Sequence, residues 1–220
     1  MLFRSYAPYW TKADVVGFDL YPLEKLCSHR LYLRDGYEAQ RQLSDEVAGK
    51  PTYQWIETGP LEGECGWSQF HVTPATVHAE AWMAIAGGAD AIGYFTHTWT
   101  GGGPDPTWSP FDVAFDIQAE IARTNLEIGD LAPALTGSDL AVKLVGRTPV
   151  VAGGHLFNKA LYVIAVNPTY AATAATIRIK GIGSRTFTVF GEPRTVSTQR
   201  SLLTDTFEPL TVHVYVAAPK

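Results

Sequence analysis

The spacing of apolar residues changes once along this chain of 220 residues, and that change limits the folds open to it. Up to about residue 128, short β-branched runs alternate with stretches whose apolar residues recur at helical spacing. From Leu140 onward the period is two: Ile177 and Ile179 alternate with Arg178 and Lys180, Phe187 and Val189 with Thr186 and Thr188, and Val212, Val214 and Val216 with His213 and Tyr215. Strand and helix in alternation call for a parallel sheet with helical crossovers. Short period-two segments bounded by turn residues call for half-buried antiparallel sheet. The expected boundary is the connector 129–138, giving domains 1–133 and 134–220.

In the first part, DVVGFDL (14–20), stopped by Tyr21-Pro22, reads as a parallel strand. Asp35 and Glu38 have capping-box spacing, and Tyr32, Ala39, Leu43 and Val47 fall on one helical face that Gly49 ends. KPTYQWIETG (50–59) is the next strand, read as buried, and its last residue before the turn at Gly59-Pro60 is Glu57. Thr73-Pro74 caps a second helix, with Val77, Ala81, Ala84 and Ile85 inward and Gly87-Gly88 at its end. ADAIGYFTH (89–97) is a third strand. The glycine-rich TGGGPDPTW (100–108) lacks a lysine and P-loop spacing, so it reads as a surface loop and not a phosphate cradle. Ser109-Pro110 opens a last helix with Phe111, Ala114, Phe115, Ile117, Ile121 and Ile128 inward and Gly129 at its end. About seven strands follow, near 141–145, 150–151, 161–166, 177–179, 186–189, 194–197 and 212–216, which suits a compact β-sandwich.

A carboxylate at the C-terminal end of a parallel strand stands where α/β folds place their chemistry. In a purely structural role the same Glu57 would be held by an arginine or lysine. A net charge of −5 without a long run of either sign gives no reason to expect nucleic acid or an anionic membrane as partner, and suits a neutral ligand. Six tryptophans, among them Trp55, Trp67, Trp99 and Trp108, supply rings that can stack on sugars or fill a core. Cys27 and Cys65 lack metal-site spacing and are expected as free thiols unless both meet on one side of a sheet. No metal and no cofactor is expected. The chain reads as soluble, with no stretch of signal-peptide length at its start and no membrane-spanning run; its compartment is left open.

The order DLYP, WIETG, GGADAIGYFTHTW, a helix, and a sandwich ending in VHVYVA resembles the C-terminal part of the retaining glycoside hydrolases of the large barrel clan, among them β-galactosidases, β-xylosidases and endoglycanases. The resemblance covers nearly the whole chain. It implies that the fold is α/β plus all-β, a truncated (β/α) barrel of about three βα units followed by an antiparallel β-sandwich, with strands one to five of the barrel absent. In that clan the nucleophilic glutamate ends strand seven, an acid/base glutamate after an asparagine ends strand four, and an aromatic residue ends strand eight. By resemblance Glu57 is the nucleophile, Tyr21 its hydrogen-bonding neighbour, and Trp99 the floor of the sugar subsite. Trp55, Trp67, His97 and Trp108 join the substrate-binding set.

No Asn-Glu dipeptide occurs in the sequence, so the acid/base glutamate has no counterpart. Retaining hydrolysis needs a second carboxyl about 5 to 5.5 Å from the first. Asp19, two residues before Tyr21, is the best placed; Glu62, Glu64, Asp105 and Asp112 are loop candidates, and His97 is a candidate proton donor. The function expected is hydrolysis of β-linked sugars, with a non-catalytic sugar-binding protein and one piece of a split barrel enzyme as alternatives. A three-stranded parallel sheet leaves one face bare, so self-association through that face is also expected, unless the sandwich or the first thirteen residues cover it.

Overall fold

The computed structural model describes residues 7–23, 32–47, 49–59, 72–96 and 113–219, and the chain divides into two compact units, 1–124 and 125–220. The first unit opens with a single helical turn, α1 (Ala7–Trp10), followed by β1 (Val16–Asp19), α2 (Leu33–Glu46), β2 (Thr52–Glu57), α3 (Pro74–Ala86) and β3 (Ala91–Phe95). Helix α4 (Phe115–Leu135) begins in this unit and ends in the second. Strands β1, β2 and β3 form a parallel sheet in sequence order. The N-terminal stretch therefore adds no strand in its described part. Instead Lys50 Nζ donates to the carbonyls of Trp10 and Ala13 (2.5 and 2.6 Å), tying it to the foot of β2.

The strand register sorts residues onto two faces, because side chains alternate and parallel partners point the same way. Val16, Phe18, Thr52, Gln54, Ile56, Ile92 and Tyr94 form the back. There Val16 and Phe18 pack with Ala39 and Leu43 of α2, while Ile56, Ile92 and Tyr94 pack with Val77, Ala81 and Ala84 of α3 and Ile117 of α4. The front carries Gly17, Asp19, Tyr53, Trp55, Glu57, Ala91, Gly93 and Phe95. Strand β2 is thus buried along its helix side, while its front is open at Trp55, 37% exposed, and closes over only at Glu57.

Helix α3 matches its sequence signals closely. Thr73 Oγ1 accepts the Thr76 N–H (3.2 Å), Pro74 stands at the first helical position, and the chain leaves the helix at Gly87, with Gly88 at φ +97°. Helix α2 starts earlier than its spacing predicts: Asp35 is the third helical residue and accepts the Tyr32 N–H (2.7 Å), while Tyr32 is 68% exposed and lies off the apolar face. Helix α4 departs most. Gly129 does not end it, Ala114 is exposed, and Phe115 is 85% exposed. The helix runs through Pro133 because a proline near the C-terminal end removes only its own bond to the carbonyl four residues back, and Gly129, which carries that carbonyl, is exposed to water.

The second unit holds β4 (Ser138–Asp139), β5 (Val142–Val145), β6 (Val151–Phe157), β7 (Ala160–Val166), β8 (Thr173–Ile179), β9 (Thr186–Val189), β10 (Thr195–Ser197), β11 (Leu202–Phe207) and β12 (Val212–Ala217). They form a six-stranded sheet, β10-β9-β12-β7-β6-β4, and a three-stranded sheet, β11-β8-β5, both antiparallel. Leu161, Val163 and Tyr215 of the larger sheet and Ile177, Ile179 and Leu203 of the smaller share one core. Nine strands replace the seven expected. Strand β11 went unseen because Thr204, Asp205 and Thr206 interrupt its apolar residues, the two-residue β4 was too short to show a period, and β6 runs on to Phe157, well past the expected 150–151. In β12 the expected faces are exchanged: Tyr215 and Ala217, not the valines, enter the shared core. A central strand between β7 and β9 is buried on both sides, so alternation in it carries little orientation.

Candidate functional site

Glu57 ends the middle strand of the parallel sheet, faces front, and is 1% exposed. Its Oε2 accepts the backbone N–H of Leu23 (3.1 Å), just past β1. Tyr21, between β1 and that amide, is buried, with its ring 5.0 Å from that of Phe95. Burial first, then the charges of Asp19 and Glu57, push its phenol far above the usual tyrosine value. Tyr21 is therefore a neutral hydroxyl within electrostatic reach of both carboxylates. Asp19 is exposed, on the same face, opposite Trp55 on the neighbouring strand. An offset of two residues across adjacent strands puts the Asp19 and Glu57 Cα atoms about 8 Å apart.

Around these acids the front of the sheet is paved with rings. Trp55 meets Tyr53 edge-on at 6.2 Å and Phe95 at 6.5 Å. Two glycines make room for them: a methyl group at Gly17 would lie 2.2 Å from the Tyr53 ring, and one at Gly93 would lie 2.7 Å from the Trp55 ring. The rings consequently lie across the neighbouring strands instead of standing off the sheet. Tyr53 of β2 and Phe95 of β3 belong to this surface, and reading β2 as buried hid Tyr53. The period of two, applied from Glu57 backwards, would have found Tyr53.

Of the sequence candidates, Asp19, Tyr21, Trp55 and Glu57 are brought together at one end and one face of the sheet. Trp67, His97, Trp99 and Trp108 lie outside the described residues, as do Glu62, Glu64, Asp105, Asp112, Cys27 and Cys65. Among the described residues no cluster of three His, Cys, Asp or Glu could hold a metal ion.

One acid escaped the sequence reading. Glu80 sits in the middle of α3, 2% exposed, and among the described residues neither of its oxygens has a hydrogen-bond partner. Burial, and after it the charge of Glu57, hold its carboxyl well above the usual carboxylate range. The Glu57 backbone N–H lies close enough to oppose this a little, but outside hydrogen-bonding geometry. Its position was legible: Glu80 falls three residues after Val77 and four before Ala84, on the apolar face of a helix with no other acid.

No protein-family model matches the chain, and no curated protein is similar to it. Solved structures are similar to it over nearly its full length. They include the α-amylase of Geobacillus thermoleovorans in complex with acarbose (TM-score 0.61, 17% identity, 99% of this chain and 51% of that one). A GH27 β-L-arabinopyranosidase of Geobacillus stearothermophilus in complex with arabinose is similar at TM-score 0.59 and 10% identity, over 99% of this chain and 48% of that one. A maltogenic α-amylase of Thermotoga neapolitana has the same TM-score and 10% identity, over 87% and 47%. The fold is that of glycoside hydrolases. The chain spans about half the length of these structures.

Proposed function

We propose that this chain carries the nucleophile half of a retaining glycosidase site for β-linked sugars, on a partial (β/α) barrel within 1–133 followed by a β-sandwich within 134–220. The observation that carries the reading is the position of Glu57: a buried, front-facing carboxylate at the C-terminal end of the central parallel strand, beside the rings of Trp55, Phe95 and Tyr21. Strand order supports the barrel. A sheet that adds β1, β2 and β3 in one direction, with α2 and α3 on one face, has no reversal point of the doubly wound kind.

In this reading Glu57 attacks the anomeric carbon, and Tyr21, neutral at any working pH, donates toward it and steadies its charge. Asp19 is the proposed acid/base partner. A pyranose lies against the Trp55 ring, with Trp67, Trp99 and Trp108 as further stacking rings and His97 as a polar contact. A panel of aryl β-glycosides, with one aryl ester as control, tests the reading on the wild type and on Glu57→Gln. Turnover that survives Glu57→Gln ends it. Gly93→Ala, which displaces the Trp55 ring, is expected to raise KM several-fold while leaving kcat nearly unchanged.

A second reading, sugar binding without hydrolysis, rests on the ring-paved front of the sheet, which can hold a sugar whether or not a second carboxyl completes the chemistry. Sugar binding with no turnover of any aryl glycoside selects it. Turnover that appears only with a partner chain supplying further barrel strands selects a split enzyme. A second copy of this chain over the ring-paved face is the other proposed partner, and a monomer in sedimentation at tens of micromolar removes it.

A further inference from the structure

Two carboxyls bury themselves at the end of β2 and do so unequally. Glu57 receives a backbone donor from Leu23, which favours a charge there. Glu80 is just as buried, yet among the described residues neither of its oxygens has a hydrogen-bond partner. Two close carboxyls in a low-dielectric site do not both ionise, and the negative charge settles on the one with donors.

We propose that Glu80 is a positioning residue for Glu57: it stays the neutral acid behind the strand end and so confines the single negative charge of the pair to the carboxyl that faces the sugar site. The consequence for catalysis rests on the reading of Glu57 as nucleophile; the charge assignment does not.

Among the described residues, the packed elements present these groups to the pair. From the end of β1 come Asp19 and Tyr21, both on the front. From the back, β3 presents Tyr94, pushed up to about 12 by burial and by Glu120 of α4. On α3 itself, His78 engages the ring of Trp82. From α2, the buried polar residue is Gln40, which does not titrate and bonds Thr52 and Ser44. Among the described residues no lysine or arginine acts on Glu80. Among the described residues, a charge on Glu80 would therefore meet only that of Glu57.

A measurable stability effect follows. Below the usual carboxylate value of 4.5, Glu80 holds its proton in both folded and unfolded chains. Above it, the unfolded chain releases that proton and the folded chain keeps it. The native state then binds more protons, so Glu80 lowers stability progressively as pH rises from 4.5 toward its folded value. Glu80→Gln, neutral and of the same shape, removes this loss.

The test reads charge without turnover. In carboxyl carbon NMR of glutamate-labelled protein, the Glu80 signal is expected to stay at its protonated position at pH 7, while the Glu57 signal moves at lower pH. A Glu80 signal that titrates in the ordinary range, or a protonated Glu57 beside an ionised Glu80, overturns the assignment. In thermal unfolding, Glu80→Gln is expected to raise the midpoint by about 2 to 8 °C at pH 7 and by nothing at pH 4. An equal shift at both pH values overturns it too. Should Glu80→Gln not fold, the wild-type NMR decides alone. A wild type without glycosidase activity but with a protonated Glu80 defeats the catalytic reading and leaves the charge pairing standing.

Discussion

Each unit of this protein holds a cluster of ionisable groups, half-buried in the second and fully buried in the first, and the two are built on opposite terms. In the second unit, Arg194 Nη1 contacts Asp205 Oδ2 (2.7 Å) and its Nε contacts Glu192 Oε2 (2.5 Å). The other Glu192 oxygen meets His213 Nδ1 (2.6 Å), and the Tyr215 hydroxyl donates to Asp205 (2.9 Å). Every member of that network has a partner, and it links the turn between β9 and β10 to β11 of the smaller sheet and β12 of the larger. In the first unit, Glu57 and Glu80 share a site in which each raises the cost of the other's charge. A network whose donors and acceptors are matched stabilises a fold. A buried pair of like groups, one of them without hydrogen bonds, destabilises it, and such arrangements cluster where chemistry is done.

Several measurements would break or sharpen this contrast. The largest effect is expected from Glu57→Gln, which should lower kcat for an aryl glycoside on the order of 10³-fold or more while leaving the unfolding midpoint unchanged or raised. A large loss of stability instead would put the first cluster on the same footing as the second. Next is Asp205→Asn, expected to cost about 1 to 3 kcal/mol in denaturant unfolding near pH 7. Burial works against the charge of Asp205, but hydrogen bonds from Arg194, Tyr215 and the Thr206 amide outweigh it and hold the carboxyl below its usual value. Its contribution is therefore complete above the unfolded value of 3.8 and is lost as pH falls through the lower folded value. The gap between wild type and Asp205→Asn should close in that acid window. In contrast, the gap between wild type and Glu80→Gln should open as pH rises above 4.5. The smallest effect belongs to Tyr215→Phe, which removes one hydrogen bond and should cost about 0.5 to 1.5 kcal/mol. A neutral result there would show Asp205 to be satisfied by Arg194 and the Thr206 amide alone.

Much of the parallel sheet was legible in the sequence because local chemistry marks its elements. Thr73-Pro74 and Gly87-Gly88 bracket α3, and the β-branched and aromatic run 52–56 ends at a carboxylate followed by a turn. Helix α4 was misread at its C-terminal end for a physical reason: Gly129 and Pro133 lower helix propensity, but propensity is a weak term that the rest of a long helix overrides. The unseen β11 and the exchanged faces of β12 share another cause. Pairing and burial across two sheets decide which side of a strand is inside, and the sequence period alone does not contain that choice. The site was half visible. Glu57, Asp19 and Trp55 could be named from strand ends and composition and Tyr21 from the resemblance, whereas the ring surface needed Gly17 and Gly93 to be seen beside Tyr53 and Trp55.

By itself the order of residues determined where α3 and the parallel strands run, where the period changes, and which carboxylate ends the central strand. Those properties depend on neighbours a few positions apart, through caps, turns and alternation. Only the tertiary structure decided that Glu80 lies behind Glu57. Two residues 23 positions apart in the chain interact because α3 packs its apolar face on β2, and the energy of two acids in one low-dielectric site depends on the space between them and not on their separation in sequence.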